Sequence, residues 1–441
     1  MKKYLMTICA FLALSMHSDD LLSIYQEALE KDPNYNLNKA DLDISGEFLK
    51  QARSGLGPRL SLSGGTNWNE YYQERVLQND YNTFSYNLNL SQPLFRLDAW
   101  FNSRRAKQNM DAAEARFAYQ QQDLIIRVTG AYFNILSARA RLKTASATEK
   151  ALENQYQQVQ ERFNVGSASR IELAEAKAAF NRATSDRVLA EGNLDISFEE
   201  LNSIVGRKVS LIAPLSDKVT FDLPTSSIDA EVESGLENNF LIVEAKKRVK
   251  AAEANTAART ANFLPKIDAS ANANRRTSKQ YTFDGIDSDV GIPFRIPQET
   301  ENRSFSIQFS LPLFTSGLNS SQRRQALLEE VKTEERLVLV ERSIIQQIRS
   351  LYSALETSKL NVESLTASEQ SSKDALEATR LGYELSSRNL IDLLQAERSY
   401  ADVQNRLAQA KYAFLLTSLQ YKQAIGTLKP EDLVELNKFL D

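Results

Sequence analysis

Cysteine and histidine are almost missing from this sequence. Among 441 residues there is one cysteine, Cys9, and one histidine, His17. Both lie in an N-terminal stretch typical of a secretory signal, in which Lys2 and Lys3 precede a short apolar run that small residues at Ser15 and Ser18 follow. Cleavage near Ser18 would remove both. The exported chain would then form no disulfide, no Cys/His metal site and no histidine-based catalytic triad, so we predict no metal and no cofactor.

Long apolar runs are also missing. No stretch after the signal approaches the roughly 18 consecutive apolar residues of a transmembrane helix. A formal net charge of −4 gives no strongly basic field, so nucleic acid is not an expected partner. There is no Gly-rich GxxxxGK[ST] loop for a nucleotide. If the chain sits in a membrane, a closed β-barrel is the remaining option.

The sequence after the signal is duplicated. Residues 86–95 (YNLNLSQPLF) resemble residues 305–314 (FSIQFSLPLF) at an offset of 219. Because earlier matches have an offset of 207, the second half carries 12 extra residues, which we place in the loop 275–303. The pattern predicts two equivalent halves. Further matched positions are Pro58 with Pro265, Ile171 with Ile391, and Gly206 with Gly426.

Each half contains one very long predicted helix. No proline occurs between Pro93 and Pro214 or between Pro312 and Pro430, and residues that favour helix fill both stretches. Apolar residues recur at alternating steps of four and three, and the same steps recur 220 residues later. This indicates two coiled-coil helices with equivalent neighbours. The two seams include Leu124, Val128 and Ile135 in the first half and Ile344, Ile348 and Leu355 in the second.

Shorter helices flank each long one. We predict single helices of about 35 residues near 20–54 and 229–262, before the strands of each half. A helix over residues 98–163 would be about 100 Å long, and its neighbours about 52 Å and 57 Å. Two shorter helices placed end to end would then match one long helix, which predicts a layer of paired rods.

Four segments of about ten residues alternate between apolar and polar side chains. This length suits a tilted strand that crosses a bilayer, although a soluble half-buried sheet alternates in the same way. The export signal favours the membrane, and aromatic residues cluster at one loop, as in an interfacial girdle. Four strands cannot close a barrel, so copies of the chain must pool their strands. The apolar positions include Leu60, Leu62 and Trp68; Tyr86, Leu88 and Leu90; Ile267 and Ala269; Phe305, Ile307 and Phe309.

Together these features resemble the TolC-type outer-membrane factor family. Residues 162–166 (RFNVG) resemble its first helix-turn tip and 382–394 (GYELSSRNLIDLL) its second. Residues 310–314 (SLPLF), followed by Gly317, resemble its strand-to-helix crossing. The resemblance implies a mainly α fold with a membrane β-barrel. Each internally duplicated chain would contribute four strands to a trimeric, 12-stranded barrel that a long α-helical coiled-coil tunnel continues.

The predicted boundaries follow this layout. They are 1–18 for the signal peptide; 19–57 for the first tunnel helix; 58–95 for the first barrel hairpin; 96–205 for the first coiled-coil hairpin; 206–228 for an equatorial segment; 229–264 for the second tunnel helix; 265–314 for the second barrel hairpin; 315–426 for the second coiled-coil hairpin; and 427–441 for a C-terminal equatorial segment.

The resemblance implies a passive exit duct in the outer membrane that extends into the periplasm. It would serve a tripartite efflux pump or a type I secretion system and carry drugs, toxins or proteins. The implied partners are two further copies of the chain, a periplasmic adaptor, an inner-membrane transporter of RND, ABC or MFS type, and outer-membrane lipid. The main alternative is a periplasmic adaptor protein, but two coiled-coil hairpins and only four strands argue against it. An exported enzyme is not expected, because nothing places two carboxylates in a pocket.

The resemblance also implies a periplasmic gate near the two tips. Tyr383 and Arg388 would bond to Glu172 on a neighbouring coil, and Asp392 would form a carboxylate ring around the axis. Gln395 stands where the family's founding member has a second aspartate, so cation binding there is in doubt. The residues by themselves also allow Arg388 and Asp392 to be an exposed i,i+4 pair, which contributes about 0.3–0.5 kcal/mol.

The same two tips are the predicted contact for the adaptor. Val165 and Gly166 stand at the first tip, and Ser386 and Ser387 at the second. Ser386 replaces the glycine of the first tip, which departs from the doubled pattern.

Overall fold

The computed structural model describes residues 19–73, 76–216, 221–224, 226–281, 299–385 and 387–440. The predicted signal, 1–18, and much of the predicted loop 275–303 lie outside them. The chain divides into two compact units, and each takes segments from both halves of the duplication. Unit 1 comprises Met1–Ala40, Arg116–Val243 and Val340–Asp441, and unit 2 comprises Asp41–Ala115 and Glu244–Leu339.

The helices and strands alternate in the predicted order within each half. The helices are α1 (Leu21–Lys31), α2 (Pro33–Ser54), α3 (Leu97–Asn164), α4 (Arg170–Val205), α5 (Ile228–Asn238), α6 (Phe240–Ala261), α7 (Leu318–Glu384), α8 (Leu390–Ala424) and α9 (Pro430–Asn437). The strands are β1 (Arg59–Gln73), β2 (Val76–Phe95), β3 (Lys266–Tyr281) and β4 (Glu299–Ser310).

The prediction of one unbroken helix at the start of each half is wrong. Asp32 separates α1 from α2, and Asn239 separates α5 from α6, both with extended backbone. The first break has a local cause, because Asp32 precedes Pro33 and the residue before proline disfavours the helical region. The second break has no proline. The two break residues are 207 apart, so the duplication preserves the bend.

Within unit 1 the predicted coiled-coil seam is buried at its start and half-buried or exposed towards the tips. Leu124, Val128 and Ile135 of α3 and Ile348 of α7 are fully buried, as the recurring steps of four and three require. Glu149, which interrupts the seam, forms a 2.7 Å ion pair with Arg187 of α4. Among the described residues, no helix combines the length and the apolar character that a membrane span needs.

Unit 1 also holds the start and the end of the described chain together. The N–H of Asp19 donates to the carbonyl of Leu211 at 3.1 Å, and its carboxylate pairs with Arg207 at 2.9 Å. The Asn437 side chain donates to the Asp20 carboxylate at 2.8 Å. These contacts join the first helical residues, the segment after α4 and the C-terminal helix α9, so the two predicted equatorial segments pack against the chain start.

Unit 2 contains one antiparallel sheet in the order β1-β2-β3-β4. The register aligns Leu60 with Leu90, Leu90 with Ala271, and Ala271 with Phe305. Side chains alternate between the faces of a sheet, so one face is apolar and the other polar. The next row, on the polar face, is formed by Ser61, Asn89, Asn272 and Ser304.

The strands are longer than the predicted ten residues. They span 15, 20, 16 and 12 residues, because the pairing of the strands continues into the polar ends of both hairpins, beyond the alternating segments. The register shifts between Pro93 and Phe95 of β2. Proline cannot donate a ladder hydrogen bond, so an irregularity at this point is expected.

Candidate functional site

The first predicted tip is a tight turn between α3 and α4. Gly166 adopts a left-handed backbone with φ 76°, and its N–H donates to the carbonyl of Phe163. The N–H of Ser167 donates to the carbonyl of Arg162 at 2.7 Å, which completes a Schellman motif. Ser169 then caps α4. The chain reverses within a few residues, as the short linking sequence predicts.

The second tip joins α7 to α8. The N–H groups of Ser387 and Arg388 both donate to the carbonyl of Gly382, at 2.8 and 3.0 Å. A Cβ at Gly382 would lie 2.8 Å from Cγ of Arg388, closer than packed carbon atoms allow, so a larger residue would require the Arg388 side chain to shift. The Asn389 side chain accepts the N–H of Asp392 at 2.8 Å and caps α8.

One hydrogen bond connects the tips. Arg162 Nη1 donates to the hydroxyl of Tyr383 at 3.0 Å, and the guanidinium carbon lies 6.0 Å from the centre of the tyrosine ring. Below this pair, Val159, Ala176 and Leu390 form a small buried cluster against which Tyr383 packs. The two hairpins are therefore held together at the tips by an apolar cluster and by one charge-assisted hydrogen bond.

The structure places the predicted gate residues around this contact. Glu172 accepts the N–H of Ser169 at 2.8 Å and so belongs to the capping box of α4. Arg388 lies 3.7 Å from Asp392 in an exposed i,i+4 pair. The predicted hydrogen bonds from Tyr383 and Arg388 to Glu172 would join neighbouring coils. These bonds, and the gate that they would close, stay a prediction. Gln395 is exposed on α8, one turn beyond Asp392.

The predicted adaptor-contact residues lie at the outermost turns. Val165 is 79% exposed and the Ser387 hydroxyl donates to the carbonyl of Gly382, whereas Ser386 lies outside the described residues. Large exposed apolar side chains recur at both tips, 220 residues apart. They are Val165 and Ile171 at the first tip, and Leu385 and Ile391 at the second.

A groove of ≈ 290 Å³ is lined by α3, α4 and α8. Its charged lining includes Arg141, Arg182 and Asp186, and Asp402, which pairs with Arg406 at 2.9 Å. Both signs of charge therefore face this groove.

Sequence reasoning missed Arg162 as the partner of Tyr383. The two residues are 221 apart, and no local pattern connects them. The duplication contained a signal, since Arg162 is the counterpart of Gly382 at the offset of 220. The two tips therefore differ at this position, where the first has an arginine and the second a glycine.

Comparison with known proteins gives the family. The sequence profile described as "Outer membrane efflux protein" matches residues 24–207 and 232–427. The chain is 29% identical to outer membrane protein TolC of Vibrio cholerae, over 97% of this chain and 95% of that protein. It is 27% identical to the alkaline protease secretion protein AprF of Pseudomonas aeruginosa, over 94% of this chain and 85% of that protein.

The fold agrees with that of solved outer-membrane channels. The CmeC outer membrane channel of Campylobacter jejuni superposes with a TM-score of 0.79 at 19% identity and covers 96% of this chain and 90% of its own. These matches do not favour the periplasmic adaptor alternative. Both halves of the chain, with the strands and the long helices, fall within the matched segments. The chain belongs to the outer membrane efflux protein family.

Proposed function

We propose that three copies of this chain form a passive outer-membrane exit duct for a tripartite efflux pump or a type I secretion system. The observation that carries this proposal is the four-stranded sheet of unit 2, with one apolar face, one polar face and two outer strands, β1 and β4. In lipid, outer strands must find partners. Twelve strands from three copies would seal both edges, with lipid outside and a lumen lined by serine and asparagine.

The relatives support a role in export. AprF is named for the secretion of alkaline protease, and the TolC proteins are named as outer membrane proteins. A duct of this kind transports drugs, toxins or proteins that an inner-membrane transporter of RND, ABC or MFS type delivers. Energy comes from that transporter, and a periplasmic adaptor joins it to the duct.

The duct is tested with the purified, processed protein. We expect a trimer in detergent, a heat-dependent shift of its band on a gel, and stepwise conductance in planar bilayers. A monomer that stays dissolved without detergent and gives no conductance would refute the proposal. Deletion of the gene, followed by profiles of resistance and secretion, would identify the cargo class.

The two tips supply the gate in this proposal. The exposed pair of Arg388 and Asp392 contributes about 0.3–0.5 kcal/mol, so Arg388 can exchange Asp392 for another carboxylate at little cost. Glu172 uses one oxygen in its capping box, and a carboxylate can accept further hydrogen bonds. Tyr383 and Arg388 of one coil would thus bond to Glu172 of its neighbour. Asp392 forms a single carboxylate ring, because Gln395 is neutral.

The gate is tested with the double variant Tyr383→Phe, Arg388→Ala. We expect a larger single-channel conductance than in the unaltered protein, because the bonds between coils are lost. The matched control is Arg406→Ala, which removes an exposed i,i+4 pair with Asp402 on the same helix. Equal conductance in all three proteins would count against the gate.

Adaptor docking uses Val165, Gly166, Ser386 and Ser387 in this proposal. The exposed apolar side chains at both tips suit a helical partner of similar character. A photoactivatable group on Ser167→Cys should give a covalent adduct with the adaptor in cells that carry all the partners. The control, Ser185→Cys, is an exposed serine within α4 and should give none. Equal labelling from both positions, or none from position 167, would contradict docking at the tips.

A further inference from the structure

The apolar face of the sheet ends in charged residues on β4. Along this face Phe309, Ile307 and Phe305 are exposed, and the next two residues on it are Arg303 and Glu301. They share the face because every second side chain of a strand points to the same side. Arg303 is 79% exposed and pairs with Glu301 at 2.6 Å. The face therefore changes from apolar to charged at Arg303.

An open groove of ≈ 480 Å³ lies on the same face and reaches this arginine. Its floor is on β3, where alanines stand between larger side chains of β2 and β4. The small side chains cause the depression, and the walls are apolar except at the end where the arginine lies. The groove is lined by Ala271 and Ala273 on β3, Leu88 and Leu90 on β2, and Phe305 and Arg303 on β4.

The charged end of the groove lies towards the hairpin loops. Helix α3 follows β2 and helix α6 precedes β3, so the helices adjoin the other ends of these strands. In the proposed duct the helices extend into the periplasm, and the hairpin loops face the outside. Next to Arg303 along the ladder, Tyr86 pairs with Arg275. Aromatic residues and arginines at this level are typical of the outer boundary of a bilayer.

The duplication shows that the fold does not need arginine here. At the offset of 219 the counterpart of Arg303 is Phe84, and at the offset of 207 the counterpart of Arg275 is Trp68. The first hairpin thus has two aromatic residues where the second has two arginines, in the same ladder positions. The arginines are a property of the second hairpin alone, which indicates a role beyond folding.

The guanidinium of Arg303 has donors to spare. Its Nε and Nη2 both donate to one oxygen of Glu301, at 3.0 and 2.6 Å. Three of its five N–H groups remain, and within the described part of the chain they have no acceptor. Exposed ion pairs stabilise little, and the planar fork suits two phosphate oxygens. Glu301 and Glu299 balance the charges of Arg303 and Arg275, so a free anion gains little here, and the apolar groove must add to binding.

We propose that this groove binds one phosphorylated acyl lipid of the outer leaflet per chain, with an acyl chain over Ala271 and Ala273 and a phosphate on Arg303. The inference rests on the proposed function, because this face meets lipid only in the inserted duct, and it adds a defined lipid site to it. The first hairpin has no such site, since Phe84 provides no donor at the matched position.

The test counts lipids bound to the purified, processed trimer by native mass spectrometry. The probes are lipid A, a phosphorylated and acylated disaccharide, and the same lipid after enzymatic removal of its phosphates. Arg303→Gln should bind lipid A about tenfold more weakly than the unaltered protein, because a charge-assisted hydrogen bond is lost. The dephosphorylated lipid should bind both proteins equally.

Three further variants make the result specific. Arg276→Gln alters the neighbouring exposed arginine, which lies on the polar face, and should bind lipid A as the unaltered protein does. Arg303→Phe copies Phe84 of the first hairpin, so it should assemble normally and still lose lipid A as Arg303→Gln does. Ala273→Leu fills the groove and should weaken both forms of the lipid alike.

Each outcome decides between the two levels of the proposal. Equal binding of lipid A to the unaltered, Arg303→Gln and Arg303→Phe trimers would overturn the lipid site and leave the duct intact. Displacement of lipid A by an equal concentration of inorganic phosphate would show a simple anion site and overturn the role of the groove. Absence of a trimer in the unaltered protein would overturn the proposed function, and the lipid site with it.

Discussion

The two halves of the chain bend their first helices at matched positions by different means. In the first half, Asp32 is buried and its carboxylate lies 2.6 Å from Arg127. In the second half, Asn239 is buried and its amide donates to the carbonyl of Ala424 at 2.8 Å. The bend is common to both halves, although the buried polar group and its partner differ and only the first bend is followed by a proline. A duplicated backbone thus keeps its geometry as long as the buried group at the bend is satisfied.

The largest expected effect comes from breaking the ion pair between Asp32 and Arg127 at the first bend. Arg127→Ala leaves the Asp32 carboxylate buried without its partner, and we expect a loss of about 3 kcal/mol in the free energy of unfolding. Asn239→Ala removes a neutral hydrogen bond and should cost about 1–2 kcal/mol. The measurement is chemical unfolding in detergent at fixed protein concentration, followed by circular dichroism.

Asp32→Asn makes the first bend resemble the second and provides the control. In the Asp32→Asn variant, Arg127→Ala should lower the free energy of unfolding by clearly less than in the unaltered chain, because no buried charge is left unpaired. If Arg127→Ala costs the same in both backgrounds, the ion pair does not hold the bend.

A second comparison concerns the glycines that end α4 and follow α8. Gly206 and Gly426 have nearly the same left-handed backbone, with φ 73° and 79°. A Cβ on Gly206 would find its nearest neighbours at 3.9 Å, whereas a Cβ on Gly426 would lie 2.5 Å from the backbone carbonyl of Asn238. Alanine at either position carries the left-handed cost of about 1–2 kcal/mol. Gly426→Ala should therefore destabilise by about 1–3 kcal/mol more than Gly206→Ala, owing to the overlap.

The midpoint of unfolding measures this difference. If the two alanine variants unfold at the same denaturant concentration, the close approach to Asn238 does not constrain the fold. If Gly426→Ala does not accumulate while Gly206→Ala is exported normally, the result still supports the close approach to Asn238. Both variants carry the same cost of a left-handed backbone, so that cost cannot explain the difference.

These comparisons also separate what the sequence can predict from what it cannot. Periodicity predicted the long helices and the alternating strands, because the burial of one side-chain face imposes a period on a sequence. The bend at Asp32 had a local signal in Pro33, but the bend at Asn239 had none, since it depends on a carbonyl 185 residues away. The hydrogen bond between Arg162 and Tyr383 had no local signal either, because tertiary packing brings together two residues that are 221 apart in the sequence.

The smallest effect is expected at the start of the two long helices, where Asp98 and Asn319 are each the second helical residue. Burial would raise the pKa of Asp98, but hydrogen bonds from Arg96 and Lys266 outweigh it and lower the pKa to about 2. Asn319 instead donates to the carbonyl of Asn262 at 3.4 Å. Because the pKa of Asp98 is lower in the folded chain than the usual value of 3.8, its stabilisation is present above about pH 4 and is lost as the pH falls towards 2.

Asp98→Asn should make the first crossing resemble the second. We expect Asp98→Asn to lower the free energy of unfolding by about 1 kcal/mol near neutral pH, after allowance for solvent screening. This loss should shrink on acidification, so that the free energies of unfolding of the variant and the unaltered protein converge between pH 4 and 2. Asn319→Ala is the matched control, and its cost should not change with pH, since neither amide nor carbonyl titrates there. A constant gap between Asp98→Asn and the unaltered protein from pH 7 to pH 2 would mean that the charge of Asp98 does not hold Arg96 and Lys266 in place.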